Sequence, residues 1–158
     1  MLKTTWYTGS NNNISFKEII YLIGKHTLLN GTAYLGTDSF FIKDYCIFAT
    51  AICLYGADKQ QGGRYFFTKS KINKDKFPEL SIRMIKEAEN TINLANNIMN
   101  EVSTAKLELH LDISPQENKE GTSHLAKMLV GYVRGSGYEC RIKPHAFAAA
   151  SIADKHSK

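Results

Sequence analysis

The sequence is poor in cysteine and proline, and it has no long apolar segment. Its three cysteines, Cys46, Cys53 and Cys140, include no C-x-x-C pair, which argues against a structural zinc site or a dithiol redox site. Cys46 and Cys53 lie within the longest apolar run, residues 45–56, and we predict that they are buried free thiols in a reducing cytoplasm. That run is too short to cross a bilayer as a helix, and residues 1–13 lack the apolar stretch of a signal peptide.

Phosphate-binding and hydrolase motifs are also absent. The eleven glycines form neither a G-x-G-x-x-G nor a Walker pattern, and there is no G-x-S-x-G turn that would expose a nucleophilic serine. What the chain has instead is an excess of positive charge, with a net charge of +5 and a pI near 9.1. This charge suits a polyanionic partner such as nucleic acid, although solubility alone would also account for it.

The first half of the chain combines one helix with three strands. A chain of 158 residues predicts a single domain over residues 1–158, with the polar, Asn-rich residues 1–13 as a loose arm. A capping box, Ser15-x-x-Glu18, opens an amphipathic helix over residues 15–29. Three strand-like segments with short links follow and predict an antiparallel meander, at residues 33–40, 45–56 and 63–72.

The second half alternates helices with strands. After Pro78, apolar residues recur with a helical period and form one stripe: Ile85, Ala88, Ile92, Ala95, Met99 and Val102. In residues 106–113, apolar residues alternate strictly with Glu108, His110 and Asp112, as in a strand. A helix, a short strand and a final helix follow, at residues 123–137, 138–143 and 145–158. This order predicts an α/β fold with a five-stranded mixed sheet, a meander followed by βα units, and helices on both faces.

Three aspartates occupy informative positions in this order. Asp38 lies at the end of the first meander strand, Asp112 near the end of the fourth strand, and Asp154 in the last helix. If the two strands are parallel neighbours, both of their aspartates emerge at the same edge of the sheet, where open α/β sheets bind ligands. Clustered carboxylates repel one another, and Mg²⁺ or Mn²⁺ would relieve that repulsion. The plainer interpretation is that each aspartate forms a turn or caps the next element.

Several segments of the chain resemble one known family. The motifs GTDS at residues 36–39, HLDIS at residues 110–114 and the C-terminal IKPHAFAAASIADKHSK are similar to those of the YkuK-type family of bacterial proteins. The similarity extends from about Phe16 to the C-terminus and includes the element order. It implies a ribonuclease H-like fold, and because that family is described as predicted nucleases, it also implies a metal-dependent nuclease acting on RNA or DNA.

The same resemblance implies a set of catalytic acids. In the ribonuclease H-like superfamily, acids come from the first strand, the first helix after the meander, the fourth strand and the C-terminal helix. By position, the resemblance implies that Asp38, Asp112 and Asp154 are catalytic residues that bind Mg²⁺ or Mn²⁺.

The helix acid is chosen between two glutamates. Glu87 and Glu89 both fit the position, and we choose Glu89 because it borders the apolar stripe, four residues from Ile85 and three from Ile92. One departure from the family is Phe40, which stands where a glutamine often follows GTDS. A substrate contact from that position is therefore not carried over to this chain.

Other polar residues lie near the proposed site. Lys143 and His145 flank Pro144, and they could bind substrate phosphate or move a proton, or belong to an ordinary strand-to-helix turn. His110 could support the acids, but a histidine beneath a helix is more often a hydrogen-bonded core residue. The basic residues of the third strand could follow a phosphate backbone, or they could protect a solvated sheet edge.

Two functions follow from these observations. The first is a nuclease in which Asp38, Glu89, Asp112 and Asp154 hold two Mg²⁺ or Mn²⁺ ions while basic residues grip the nucleic acid. The second is a non-catalytic nucleic-acid-binding or assembly module on the same scaffold. No feature of the sequence indicates an oligomeric state or a membrane partner.

Overall fold

A computed structural model describes residues 4–114 and 122–157 of the chain. The first three residues of the predicted arm and Lys158 lie outside the described residues. In chain order the elements are β1 (Trp6–Thr8), β2 (Asn13–Ile14), α1 (Phe16–Leu28), β3 (Thr32–Ile42), β4 (Tyr45–Tyr55), β5 (Arg64–Asn73), a 3₁₀ turn (Lys74–Lys76), α2 (Leu80–Glu101), β6 (Leu107–Leu111), α3 (Thr122–Gly135), β7 (Glu139–Arg141) and a C-terminal helix that is π-helical over Ala148–Ala153 and α-helical over Asp154–Ser157 (α4).

The strands form one mixed sheet in the order β2-β1-β5-β4-β3-β6-β7. The meander β3–β4–β5 is antiparallel, whereas β6 pairs in parallel with both β3 and β7. The predicted meander followed by βα units is therefore confirmed. The predicted strand number is wrong, because the described residues contain seven strands rather than five.

The two additional strands come from the segment that was expected to be a loose arm. β1 pairs with β5, so that Trp6 lies opposite Thr68, and β2 pairs with β1. Trp6 is buried, with its ring centroid 5.9 Å from that of Phe16 in α1. The buried Trp6 and the ring of Tyr7, which stacks on Phe67 with centroids 5.5 Å apart, thus anchor this segment, and the outer side of β5 is covered over residues 66–68.

Helices cover both faces of the sheet, as predicted, but they do so unequally. The α1, α2 and α3 helices pack on one face and form the main apolar core with residues such as Ile23, Leu35, Ile98 and Leu129. The C-terminal helix alone packs on the other face, through small residues that include Ala148 and Ala153. Among the described residues, no helix is long and apolar enough to cross a membrane.

Two local differences from the sequence-based expectations bear on the acids. β3 continues to Ile42, because a two-residue turn at Lys43 and Asp44 joins it to β4 in a long hairpin. Asp38 therefore lies inside β3 rather than at its end. It is β6 that ends at this level, with Leu111 opposite Thr37, so the outer side of β3 is open beyond that point.

Candidate active site

Parallel pairing of β3 and β6 brings Asp38 and Asp112 to one edge of the sheet. The register aligns Thr37 with Leu111, so the next residue of each chain segment is an aspartate. Gly36 and His110 both face the C-terminal helix. Because side chains alternate along a strand, Asp38 and Asp112, each two residues further on, lie on that same face. The expected convergence of the two aspartates is a consequence of this register.

The C-terminal helix lies directly on the backbone of β3. A Cβ atom added to Gly36 would stand 2.4 Å from the backbone N of Ala149, so only glycine permits this approach. At the start of the helix, His110 Nδ1 accepts a hydrogen bond from the Ala148 N–H at 3.1 Å. The predicted core role of His110 agrees with its complete burial, and its ring helps to hold the helix that carries Asp154.

A second anchor holds the far end of the same helix. The ring of His156 stacks on Phe67 of β5 with centroids 3.7 Å apart and an angle of 10° between the planes. His156 Nε2 also forms a 2.9 Å hydrogen bond with the hydroxyl of Tyr65. Burial, followed by the charges of Lys155 and Lys69, lowers the pKa of His156. The helix is thus fixed on both sides of Asp154.

The carboxyl group of Asp38 lies close enough to that of Asp154 for the two to interact, which disfavours the ionised form of Asp38. Burial is the main cause that raises the pKa of Asp38 to about 7, followed by the neighbouring carboxyl group of Asp154 and by the negative charge of Asp112. The backbone N–H of Ser39 acts in the opposite direction. Ser157 Oγ also donates to Asp38 Oδ2 at 3.3 Å. All three predicted aspartates therefore belong to one interacting group.

Glu87 joins the group from α2, on the other face of the sheet. Its carboxylate accepts a hydrogen bond from the hydroxyl of Ser39, the residue that follows Asp38. The pKa of Glu87 is raised to about 8, mainly by burial and also by the charges of Asp38 and Asp112, while the hydrogen bond from Ser39 and the guanidinium of Arg83 act in the opposite direction. Because the negative charges of Asp38 and Asp112 both raise the pKa of Glu87, we count it as the fourth carboxyl group of this cluster.

Three buried threonines set the rotation of α2 about its axis. Thr91 Oγ1 donates to the carbonyl of Glu87 at 3.0 Å and lies 2.8 Å from Thr37 Oγ1. Thr37 Oγ1 in turn lies 3.0 Å from Thr50 Oγ1 in β4. These hydroxyl contacts tie α2 to the sheet at the level of Thr37 and turn Glu87 toward Ser39.

The structure places Glu89, which we chose as the helix acid, away from the three aspartates. Its side chain is 43% exposed and pairs with Lys86 at 3.3 Å, one turn back on the same helix. The choice depended on Ile85 as part of the buried stripe, but Ile85 is 36% exposed. The buried face is instead centred on residues 84, 87, 88, 91, 95 and 98, which includes Glu87. Two residues along a helix correspond to about 200°, so Glu89 points away from it.

The two predicted substrate-binding residues, Lys143 and His145, differ from each other in their contacts. Lys143 Nζ lies 3.0 Å from Asp112 Oδ1, and half of the Lys143 side chain is exposed. That oxygen is buried and has no hydrogen bond of good geometry with the described residues, so its contact with Lys143 is an ion pair without a well-aligned hydrogen bond. His145 is exposed, and its backbone N–H donates to the Ile142 carbonyl at 2.8 Å in a turn.

The donor chemistry of the cluster suits a hard divalent cation. Carboxylate oxygens are the ligands that Mg²⁺ and Mn²⁺ take in proteins, and a bound cation would offset the repulsion between the carboxylates of Asp38, Asp112 and Asp154. Asp112 Oδ1 is a buried carboxylate oxygen without a hydrogen bond. Within residues 4–114 and 122–157, however, no three His, Cys, Asp or Glu side chains are already arranged to hold a metal ion. The residues fit a cation in kind, and the side chains would have to rearrange to bind it.

In this mixed sheet, acids come together at the end of a parallel strand pair. A long helix covers one face of the sheet there and a C-terminal helix covers the other. This combination defines a recognisable class of α/β proteins. A family model described as Ribonuclease H-like matches residues 15–158. The chain belongs to this ribonuclease H-like family. No curated protein and no solved structure matches the chain significantly.

Several residues that organise the cluster were not singled out from the sequence. They are Ser39, Thr91 and Ser157, which orient Glu87, α2 and Asp38 through hydrogen bonds. One signal was present, because Glu87 and Thr91 are four residues apart and polar at positions between buried apolar residues of α2. The roles of Ser39 and Ser157 depend on tertiary contacts across 48 and 119 residues.

Proposed function

We propose that this chain is a metal-dependent nuclease that hydrolyses phosphodiester bonds of RNA or DNA. The observation that carries the proposal is the proximity of Asp38, Asp112 and Asp154 on one face of the sheet, with Glu87 reaching Ser39 from the other face, in a ribonuclease H-like chain. Holding four acids together costs free energy, and the raised pKa values of Asp38 and Glu87 are the sign of that cost. Such an arrangement is expected where function requires it.

In this proposal the four acids hold two Mg²⁺ or Mn²⁺ ions. When bound, such ions would supply an activated water and stabilise the attacking and departing oxygens of the displacement. Ser39 and Ser157 orient the carboxylates of Glu87 and Asp38, to which they donate. The exposed Lys143 pairs with Asp112 in the absence of a cation and, once released, would contact a substrate phosphate.

The proposed helix acid is Glu87, and Glu89 is replaced in this role. His145 keeps its proposed part in substrate binding because its side chain is exposed beside the C-terminal helix. The net charge of +5 would support non-specific attraction of nucleic acid. The finer assignment to the YkuK-type branch, and with it a bacterial and cytoplasmic origin, also belongs to this proposal.

The two glutamates of α2 provide a matched test. Asp38→Asn, Asp112→Asn and Glu87→Gln should each abolish Mn²⁺-dependent cleavage of a labelled oligonucleotide. Glu89→Gln removes the same charge two residues away and should leave cleavage close to that of the wild type. Full activity in any of the first three variants, or loss of activity in Glu89→Gln alone, would contradict the assignment.

A non-catalytic nucleic-acid-binding module is the second candidate. Two observations favour it, since Lys143 already neutralises Asp112 and no three described acids are arranged as a ready metal site. It predicts salt-dependent binding of RNA or DNA with no hydrolysis in Mg²⁺ or Mn²⁺. Anomalous scattering from crystals soaked in Mn²⁺ separates the two candidates, because the nuclease requires a peak at the four acids.

A further inference from the structure

The hairpin of β3 and β4 extends well beyond the acid cluster, and residues 4–114 and 122–157 leave one face of this extension uncovered. Asp38 lies opposite Ala49 of β4, which lies opposite Lys69 of β5. Four further residues of β3 lead to the tip, a distance of about 13 Å at the usual strand rise. The last described residue of the C-terminal helix, Ser157, contacts Asp38, at the near end of this extension.

We call this bare region the distal face, and it consists of Phe40, Ile42, Tyr45, Ile47, Lys69 and Lys71. Alternation along the strands places these residues on the same side of the sheet as Asp38. Phe40 and Tyr45 are each 39% exposed, although both are large and partly apolar. The opposite side of the same strands is partly covered, because Cys46, Phe48 and Phe77 form a small core there, although Phe41 on that side is 40% exposed.

Aromatic and basic side chains are arranged in order on the distal face. The register places Phe40, Ile47 and Lys71 in one row and Ile42, Tyr45 and Asn73 in the next. The aromatic residues thus lie on the two hairpin strands, whereas the lysines lie on β5. Lys71 Nζ stands 3.9 Å from the centroid of the Tyr45 ring, so the ring and the cation also support each other.

We propose that the distal face binds single-stranded nucleic acid and leads it to the acid cluster. The inference rests on the proposed function for the chemical class of the ligand. Lys69 and Lys71 would follow the phosphate backbone, and Phe40 and Tyr45 would stack on bases. Sheet-borne aromatic residues beside basic ones are a general means of binding single strands.

Two physical arguments select this occupant. Aromatic rings that lie on a sheet face can stack only on bases that have left a duplex, which favours a single strand over a double helix. The acid cluster repels phosphate, and Lys69 lies in the same row as Asp38, so it offsets that repulsion where the strand would enter the site. An apolar protein partner would offer no negative charge to pair with Lys69 and Lys71.

Binding to a fluorescent short oligothymidylate, measured by anisotropy in EDTA, tests the inference without turnover. The double variant Phe40→Ser/Tyr45→Ser should bind the single strand about tenfold more weakly. Tyr132→Ser is the matched control, because Tyr132 is 44% exposed on α3, and it should bind as the wild type does. A blunt duplex of the same sequence should bind more weakly and should respond little to the aromatic variants.

The contribution of Lys69 and Lys71 can be tested against a control variant that loses the same amount of charge elsewhere. Lys69→Gln/Lys71→Gln should reduce the slope of log affinity against log salt by about 1.4, because each phosphate contact on a single strand contributes about 0.7. Lys17→Gln/Lys127→Gln lowers the net charge by the same amount, at exposed positions on α1 and α3, and should leave that slope near its wild-type value. Equal losses in the two double variants would overturn the inference, since net charge alone would then explain binding.

Other outcomes also decide against the distal face. Unchanged binding by the aromatic double variant, or equal sensitivity of duplex binding, would overturn the proposal. So would a concentration-dependent dimer that Phe40→Ser/Tyr45→Ser dissociates in sedimentation, because the face would then be an interface between two copies. Phe40→Tyr and Lys69→Arg/Lys71→Arg keep the ring and the charges, so a loss of binding in these variants would also contradict it.

The result is separable from that of the proposed function. If the wild type cleaves nucleic acid and the distal-face variants cleave single strands normally, the nuclease stands and this inference fails. If the wild type never cleaves but loses single-strand binding in the same variants, the inference stands and the nuclease fails.

Discussion

The two faces of the sheet are built in different ways. One face carries three helices over an apolar core that includes Ile23, Leu35 and Leu109. The other carries one C-terminal helix, which contacts the sheet through alanines and the backbone of Gly36. The acids Asp38, Asp112 and Asp154 belong to this second, thinner face.

The difference indicates that the three-helix face contributes most of the stability, whereas the other face carries three of the proposed functional acids. Apolar burial stabilises a fold by about 25 cal/mol per Å², and most of that burial lies on the three-helix face. Mutually repelling acids oppose folding, so they are tolerated where the main core does not depend on them. Glu87 is the exception, because it reaches the cluster from the three-helix side through Ser39.

The largest expected effect comes from the three-helix face. Leu109 is completely buried in β6, and Leu109→Ala should lower the free energy of unfolding by about 2–5 kcal/mol. Cleavage per folded molecule should remain close to that of the wild type, because three of the four acids are on the other face and Glu87 lies in α2 rather than in β6. Denaturant unfolding monitored by circular dichroism measures the first quantity. Leu28→Ala, at an exposed position of α1, should change it by less than about 0.5 kcal/mol.

A smaller effect on the free energy of unfolding is expected from Glu87, which approaches the other acids from the three-helix face. A carboxyl group whose pKa is higher in the folded than in the unfolded state binds its proton better when folded, so stability decreases as pH rises between the two values. For Glu87 that window extends from about 4.5 to about 8. In the metal-free protein, Glu87→Gln should therefore be neutral near the lower limit and should stabilise above the upper limit, on the order of 1–4 kcal/mol.

Thermal unfolding in EDTA at both ends of this pH range measures the effect of Glu87→Gln. Glu89→Gln is the control, since its side chain is 43% exposed, and it should not change the pH profile of the wild type. Asp38 titrates in the same direction, with a pKa raised to about 7, so Glu87→Gln should remove only part of the pH dependence. A variant that is less stable than the wild type at alkaline pH would show that Glu87 is a stabilising charge.

The parts of the fold that follow from local patterns were predicted correctly from the sequence. The capping serine of α1 accepts from the Glu18 N–H at 3.1 Å, and the strict alternation in β6 places Leu109 in the core and Asp112 at the acid cluster. The parallel pairing of β3 with β6, which the sequence argument had taken as a condition because a right-handed crossover permits it, is present in the structure. Period and connection length were sufficient for these features.

The errors concern features that depend on tertiary contacts. The burial of Trp6 depends on β5, a segment some 60 residues away, and no local pattern announces it. The rotation of α2 is set by hydroxyl contacts between Thr37, Thr50 and Thr91, whereas the apolar stripe read from the sequence included the exposed Ile85. A shift of about one residue in that stripe separates the buried Glu87 from the exposed Glu89, which the stripe had favoured.

The smallest predicted change in stability comes from the thin face, and it should have a disproportionate effect on the site. Gly36→Ala places a Cβ atom 2.4 Å from the backbone of Ala149, so the C-terminal helix has to move. Strain of this kind costs about 1–3 kcal/mol. Because the same helix carries Asp154, cleavage should decrease much more than stability, and amide hydrogen exchange should increase at residues 148–157 but not in β4.

Gly131 provides the matched control for this substitution. It lies in α3 with open space around the position of an added Cβ atom, so Gly131→Ala should be neutral or stabilising by up to about 1 kcal/mol. If Gly36→Ala unfolds the whole sheet cooperatively with no selective exchange at residues 148–157, the two faces are not separable. If instead Gly36→Ala retains full cleavage, the contact between Gly36 and Ala149 does not position Asp154, and the acid cluster must tolerate a shifted helix.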